Sequence, residues 1–471
     1  MTAGVGEPAI AAVCTAPGRA GIAVIRLSGA EAYAIADRLC DGAKRMPSKL
    51  PAGAFRLYKL RDPVDGSFID EAIVLAFRAP HSYTGEDVVE FQTHGGRVVA
   101  QRVLAALVAC GARFAGPGEF SRRAFLNGRM DLSRAEAVMD IIGAQSERAE
   151  RAAAEQLAGR LGEPLDACYD ALLSACADVE ASLDFADDEM SGILAPADIP
   201  GRLQTIAEKL QALADTRREG LLLREGARVV LSGVPNAGKS TLFNALLGFL
   251  RAIVSDIPGT TRDTIEETLL LDGIPLRVSD TAGLRETEST IERMGVDRSI
   301  ALVRGADLNL RLIDLAAAPE PQLGWLGKTD YPPDRTIAVL NKADIAPGGR
   351  VETLTRRVGA SGYEAVAVSA REKIGLETLR EAMTRKLCGD RESASAEQGV
   401  AVSERHHALI MEALGEIRAA LALDEGGGAE EVAALCAQHL RTAAEAIAQI
   451  TGRVYSEDLL DRVFSRFCIG K

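Results

Sequence analysis

The stretch that most limits what this chain can become is GVPNAGKST, residues 233–241. It satisfies G-x-x-x-x-G-K-[ST] and follows ARVVLSG (227–233), an apolar run that reads as a buried strand. A strand that ends in such a loop and opens a helix turns successive backbone N–H groups toward phosphates. Gly233 and Gly238 allow the turn. Lys239 is expected to reach the β- and γ-phosphates and Ser240 to offer its hydroxyl to magnesium. Asn236, Ala237 and Thr241 complete the loop.

Three further motifs occur in the matching order. PGTTRD (258–263), within the segment Ser255, Asp256, Ile257, Pro258, Gly259, Thr260 and Thr261, supplies Thr261 as a second magnesium hydroxyl. DTAG supplies Asp280 as a metal-facing carboxylate and Gly283 as an N–H for the γ-phosphate, with Thr281 and Ala282 between. NKAD (341–344) follows the apolar run 336–340. The Asp344 carboxylate can accept hydrogen bonds from N1–H and the 2-amino group of guanine. Adenine offers neither, and a carboxylate left unpaired is costly, so GTP is favoured over ATP. Asn341 is expected to face the N7 and O6 edge, the Lys342 stem to cover the ring with Ala343 beside it, and Ser369–Ala370 to give a backbone N–H to O6.

DTAG is followed by Leu284, where many such enzymes carry a glutamine that orients the attacking water. Leucine can neither donate nor accept a hydrogen bond. Either the chain does not hydrolyse its nucleotide or another group holds the water.

Around the nucleotide motifs, runs at 228–232, 276–279, 336–340 and 365–369 alternate with helix-like stretches over 223–387. That pattern predicts a parallel sheet with helices on both faces. DLNLRLID (307–314) carries Asn309 and Arg311 and so reads as a strand near an edge or locally twisted. Residues 1–125 read as a small α/β or α+β domain, with strands at 21–29, 71–77 and 87–93 and a helix over 96–112. Residues 126–222 and 388–471 read as helical, and Ser133 with Glu136 suggests a capping box. The simplest arrangement is a helical domain split by the inserted α/β unit. A length of 471 residues accommodates these parts, at roughly 150 residues per domain.

The net charge of −13 argues against a basic nucleic-acid coat. Arg122, Arg123, Arg129 and Arg134 form a local cluster that reads either as an RNA contact or as a solvated helix end. Eight cysteines without a Cys-x-x-Cys pair speak against zinc and for reduced thiols in the cytoplasm. Glu7 precedes the first apolar stretch, against a signal peptide, and no run approaches the length of a membrane span.

Outside the nucleotide motifs, TAPGRAGIAVIRLSG, SYTGEDVVEFQTHGG, RFAGPGEFSRRAFLNGRMDLSRAEAV and the terminal FCIGK resemble the tRNA modification GTPase family (MnmE/TrmE) over nearly the whole chain. The resemblance implies a multidomain chain with an N-terminal folate-binding domain, a split helical domain and an inserted Ras-like P-loop GTPase domain. It implies potassium-stimulated hydrolysis of GTP to GDP and phosphate. With an FAD-dependent partner (MnmG/GidA type), joined in a heterotetramer, the family adds a carboxymethylaminomethyl-type group to C5 of the tRNA wobble uridine. The one-carbon unit comes from 5-formyl- or methylene-tetrahydrofolate, and the N-terminal domain makes the homodimer. Matching motif to motif, Arg26, Glu90, Arg129 and Lys471 fall on folate-contacting positions. Residue 129 is Arg where the family often has Lys, a fork in place of a point charge. Asn236, Ser255, Ile257 and Thr260 fall on the potassium shell, with Ser255 where Thr is common. Glu292 matches the family's catalytic glutamate and would take over the water that Leu284 cannot hold, beside Lys239. Cys468 is a candidate nucleophile, although a lone cysteine is more often structural. Read without the family, Arg26 and Glu90 are ordinary strand residues and Glu292 a surface glutamate. The competing functions are a ribosome-assembly or translation GTPase with RNA-binding flanks, and a nucleotide-gated scaffold with negligible turnover.

Overall fold

The computed structural model describes residues 7–41, 46–184, 198–252, 267–280, 301–389, 402–423 and 429–471. Along the chain come β1 (Ile10–Val13), β2 (Ile22–Ser28), α1 (Ala32–Leu39), β3 (Cys40–Asp41), β4 (Phe55–Arg61), β5 (Phe68–Phe77), β6 (Val88–His94), α2 (Arg97–Ala109), β7 (Arg113–Phe114) and α3 (Glu119–Leu126). A helical run follows: α4 (Leu132–Gly143), α5 (Glu147–Leu157), α6 (Gly162–Asp184), α7 (Ile199–Ala214) and α8 (Arg217–Glu225). Then come β8 (Ala227–Gly233), α9 (Lys239–Phe249), β9 (Arg251–Ala252), β10 (Glu267–Leu271), β11 (Ile274–Asp280), β12 (Leu308–Asp314), β13 (Thr336–Asn341), α10 (Arg350–Gly359), β14 (Glu364–Ala367) and α11 (Leu376–Cys388). Helices α12 (Glu404–Leu421), α13 (Ala429–Thr451) and α14 (Glu457–Phe464) close the chain. Two compact units result. One gathers 1–139, 161–206 and 415–471; the other gathers 140–160 and 207–414.

In the first unit a sheet of order β3-β4-β5-β6-β2-β1-β7 is antiparallel except at the β1–β7 edge. Alternation decides its faces. Ile25 and Leu27 of β2 and Val89 and Phe91 of β6 point into one core with Ile35, Val103 and Leu107 of α1 and α2. Arg26 and Glu90, opposite each other in register, point the other way. That second face is covered near β1 by Ile10, Ala12, Ala115 and Phe120. Over β4 and β5 it leaves Phe55, Leu57 and Ile73 exposed.

Helices α6 and α13 pack along each other. Buried Leu165, Cys168, Leu172, Ala175 and Val179 recur at three- and four-residue steps on α6, as do Leu440, Ala443, Ala444, Ile447 and Ile450 on α13. Pro164 stands in the first turn of α6, where its missing N–H would have no partner within the helix. Helix α4 begins one residue before the expected Ser133 cap. Asp131 is the cap: its Oδ1 accepts the Arg134 N–H at 2.9 Å and the Ser133 hydroxyl at 2.6 Å.

In the second unit the sheet order is β14-β13-β12-β8-β11-β10-β9, parallel from β14 to β11. The strand carrying Asn309 and Arg311 is therefore not at an edge; β12 lies between β8 and β13. Its even-numbered residues Leu308, Leu310 and Leu312 enter the main core. The polar residues on its other face find local partners. Asn309 Nδ2 donates to the Val303 carbonyl at 3.3 Å. The Arg311 guanidinium lies 5.2 Å from the Tyr331 ring and 6.0 Å from the Trp325 ring, and burial pulls its pKa below the usual value. Aromatic faces accept a desolvated cation that aliphatic side chains would not.

Candidate nucleotide and N-terminal sites

The phosphate loop joins the buried end of β8 to the first turn of α9. Gly233 has φ +153°, and a Cβ there would stand 2.8 Å from the Leu312 carbonyl oxygen. Gly238 has φ +93°, and a Cβ there would stand 2.3 Å from Asn341 Nδ2. Both positions exclude side chains for two independent reasons, backbone conformation and space. Asn236 takes φ 63° at the exposed outer bend, a conformation asparagine tolerates. Lys239 is buried, with Nζ donating to the carbonyls of Gly233 at 3.0 Å and Val234 at 3.1 Å. The ammonium thus lies across its own loop. Ser240 and Thr241 are exposed on the first turn of α9, which starts without a side-chain cap. A helix N-terminus, with its dipole, and a lysine at one loop have the chemistry to receive an anion.

Asn341 ends β13 and is buried. Its Nδ2 donates to the Ala237 carbonyl at 2.8 Å and its Oδ1 accepts the Ala370 N–H at 3.2 Å. The side chain expected to read a base edge therefore also ties the phosphate loop to the Ser369–Ala370 loop. One amide hydrogen and one lone pair remain beyond those two bonds. Ala370 directs the N–H assigned to O6 at this same Oδ1. Lys342 has φ 66° and contacts Asp314 Oδ2 through Nζ at 2.6 Å. Asp344 stands in the short turn Ala343–Ile345, exposed. Asp280 ends β11, whose neighbour is β8, so its backbone lies one strand from the phosphate loop. Ser255, Asp256, Ile257, Pro258, Gly259, Thr260, Thr261, Thr281, Ala282, Gly283, Leu284 and Glu292 lie outside the described residues.

A second constellation lies on the outward face of the N-terminal sheet. Arg26 Nε donates to Glu90 Oε1 at 2.8 Å, and both side chains are mostly buried. The guanidinium lies 4.7 Å from the Tyr83 ring and 5.5 Å from the Phe120 ring, and its buried Nη1 has no hydrogen-bond partner among the described residues. The last residues of the sequence come to this face. Pro117 bridges Ile469, Gly118 N–H donates to the Cys468 carbonyl at 3.4 Å, and Phe120 N–H donates to the Lys471 carbonyl at 3.2 Å. Gly470 is pressed on β1, where a Cβ would stand 2.6 Å from the Val13 oxygen. Cys468 is exposed. Cys14 lies beside the same group; burial pushes its thiol pKa up against the pull of Arg26, with Glu90 adding to the rise and Lys471 opposing it. Arg129 Nε donates to the Ser82 carbonyl at 3.1 Å, which places it on the loop that carries Tyr83. Tyr83 and Phe120 lie within stretches that carry the family resemblance and Cys14 just before one, but only the fold shows them beside Arg26.

The arginine cluster near α3 is not a bare cationic patch. Arg123 is buried among Glu7, Glu86 and Glu119, Arg122 pairs with Glu457, and Arg134 pairs with Asp131 and Glu163. Among the described residues no helix is long and apolar enough to cross a membrane.

Residues 132–468 match the family model described as the MnmE helical domain, and residues 9–129 match that of the GTP-binding protein TrmE N-terminus. The tRNA modification GTPase MnmE of Azoarcus sp. strain BH72 is 44% identical over 464 residues, 98% of each chain. That of Laribacter hongkongensis is 42% identical over 98% of each chain. That of a Thermus thermophilus strain is 42% identical over 98% of this chain and 99% of its own. Among solved structures, the FeoB G-domain of Methanococcus jannaschii is 26% identical and covers 34% of this chain and 98% of its own, at a TM-score of 0.25, too low to bear on the fold.

Proposed function

Because the chain belongs to the tRNA modification GTPase MnmE family and is a GTPase of that family, we propose that it couples potassium-stimulated GTP hydrolysis to modification of a tRNA wobble uridine. In this reading a homodimer works with an FAD-dependent partner of the MnmG/GidA type. The complex adds a carboxymethylaminomethyl-type group at C5, using a one-carbon unit from 5-formyl- or methylene-tetrahydrofolate. The observation that carries the nucleotide half is the loop 233–241 with buried Lys239 lying across it and Asn341 tying it to the Ser369–Ala370 loop.

In the nucleotide site Lys239 carries the charge for the phosphates, and its present carbonyl partners are ones a phosphate oxygen outcompetes. Ser240, exposed on the first turn of α9, and Thr261 are the magnesium ligands in this reading. Asn236, exposed at the loop's outer bend, is the potassium ligand this chain presents from the phosphate loop, with Ser255, Ile257 and Thr260 completing the shell. The two cations supply neutralisation of charge on the phosphates. Glu292 orients the water, since Leu284 has no polar atom with which to do so.

At the N-terminal site the unpartnered Nη1 of Arg26 supports a ligand rich in acceptors, and the Glu90 carboxylate suits the amino-pyrimidine edge of a pterin. Tyr83 and Phe120 offer ring faces beside them. Lys471 and Arg129 serve the glutamate tail, and Cys468 is the exposed thiol nearest in sequence to that end. The acid pairing of Arg122, Arg123 and Arg134 favours a partner that supplies much of the tRNA surface.

The test is the GTP turnover of the full chain in potassium and in sodium, repeated across protein concentrations. Faster turnover in potassium that rises with concentration is expected. Equal rates in the two salts would overturn the potassium assignment.

A further inference from the structure

Nothing in the NKAD motif says how Lys342 is held, and its backbone needs holding. A left-handed backbone is unfavourable for any residue but glycine. Lys342 adopts that conformation at φ 66° and leads directly into the turn Ala343–Ile345 that carries Asp344. The direction in which the chain leaves Lys342 therefore sets where the Asp344 carboxylate stands.

The Lys342 ammonium is anchored by Asp314, the last residue of β12, opposite Asn341 in parallel register. Asp314 is buried and each of its polar groups is engaged. Oδ2 meets Lys342 Nζ at 2.6 Å, and Oδ1 accepts the Ala316 N–H at 2.8 Å. Its N–H donates to Gln322 Oε1 at 2.8 Å, and its carbonyl accepts from Gln322 Nε2 at 2.9 Å. Gln322 is itself buried and also donates to the Ala318 carbonyl at 3.0 Å. A carboxylate held on this many sides is a fixed point, while the lysine it grips has a flexible stem.

We propose that Asp314 is a positioning residue for guanine-nucleotide binding. Its carboxylate holds the Lys342 ammonium so that the Lys342 stem and the Asp344 carboxylate are arranged before the base arrives, and Gln322 fixes Asp314 in turn. This rests on reading Lys342 and Asp344 as the base cleft. Arrangement in advance of binding strengthens GTP and GDP alike and leaves the bond-breaking step alone.

Asp314→Asn and Asp314→Ser both keep an oxygen for the Ala316 N–H, so the loop retains its turn, and neither offers a charge to Lys342. On the full chain, equilibrium binding of fluorescent GTP and GDP should weaken about tenfold in each variant, with kcat at saturation within about twofold of wild type. In a Lys342→Met background, Asp314→Asn should add less than about a twofold loss, because the shared interaction is already gone. Asp314→Glu should recover most of the affinity. Wild-type affinity in the Asp314 variants, or an undiminished loss in the Lys342→Met background, overturns the proposal. The Ser variant carries the same comparison if the Asn variant does not fold. Asp344→Asn separates the two levels of the argument. Lost GTP affinity there with wild-type affinity in the Asp314 variants removes the positioning role alone. Unchanged affinity in Asp344→Asn removes the cleft itself.

Discussion

Gly238 and Asn341 show how closely two distant motifs are fitted at the scale of single residues. The Asn341 amide occupies the space that any side chain at 238 would need, and the same amide bonds the carbonyl one residue earlier. Gly238→Ala must therefore displace Asn341 as well as strain its own backbone, and GTP affinity should fall by about a hundredfold or more, read by fluorescent-nucleotide binding. Gly248, in the same helix with nothing within 4 Å of an added Cβ, is the control. Gly248→Ala should leave affinity unchanged and raise stability by about 0.5–1 kcal/mol in thermal unfolding. The sequence singled out both residues through their motifs, because G-x-x-x-x-G-K-[ST] and N-K-x-D each have a fixed local pattern. It did not reveal that they touch. Asp314 and Gln322 escaped notice for the same reason: an acid at a strand end and a glutamine in a loop are common, and only the parallel register of β12 with β13 brings Asp314 to Lys342.

At the scale of elements, patterns of apolar periodicity foretold most strands and helices, and the departures have physical causes. The edge position expected for β12 assumed that Asn309 and Arg311 need water, whereas Val303, Trp325 and Tyr331 serve them inside. The capping box expected at Ser133 and Glu136 gives way to Asp131, a stronger acceptor two residues upstream that takes the Ser133 hydroxyl too. Asp131→Ala should consequently destabilise the chain by about 1–2 kcal/mol. Ser133→Ala, which leaves the Asp131 acceptor and its bond to the Arg134 N–H in place, should do markedly less in the same chemical-denaturation series. Strands β5 and β6 carry an acid-sensitive staple. Burial alone would raise the Asp70 carboxyl, but the His94 N–H and imidazole, at 2.8 Å each, outweigh it and hold the group below the ordinary carboxylate value of 3.8. A depressed folded-state pKa means the contribution is complete above that value and lost as pH falls through and below it. Stability measured from pH 6 down to about 2 should fall less steeply in Asp70→Asn than in wild type.

At the scale of the molecule, the helical segments flanking the nucleotide unit and the tail beside Arg26 bring sequence-distant parts together. Removing residues 468–471 takes away the carbonyl partners of Gly118 and Phe120 and the lysine of the N-terminal site. The proposed folate binding, read by calorimetry, should be lost, while GTP turnover persists; a truncated chain that binds folate normally would dismiss the tail from that site. The pairing of α6 with α13 has a different consequence, in time. Cys176 and its hydrogen-bond acceptor Ala437 are 261 residues apart, and at roughly 5–20 residues per second a ribosome needs roughly 10–50 s to make the second after the first. Throughout that interval the apolar stripe of α6 has been synthesised and its mate has not. The newborn chain is thus most open to wrong associations and to chaperone capture along α6, while the strands of the nucleotide unit, translated in between, already have one another.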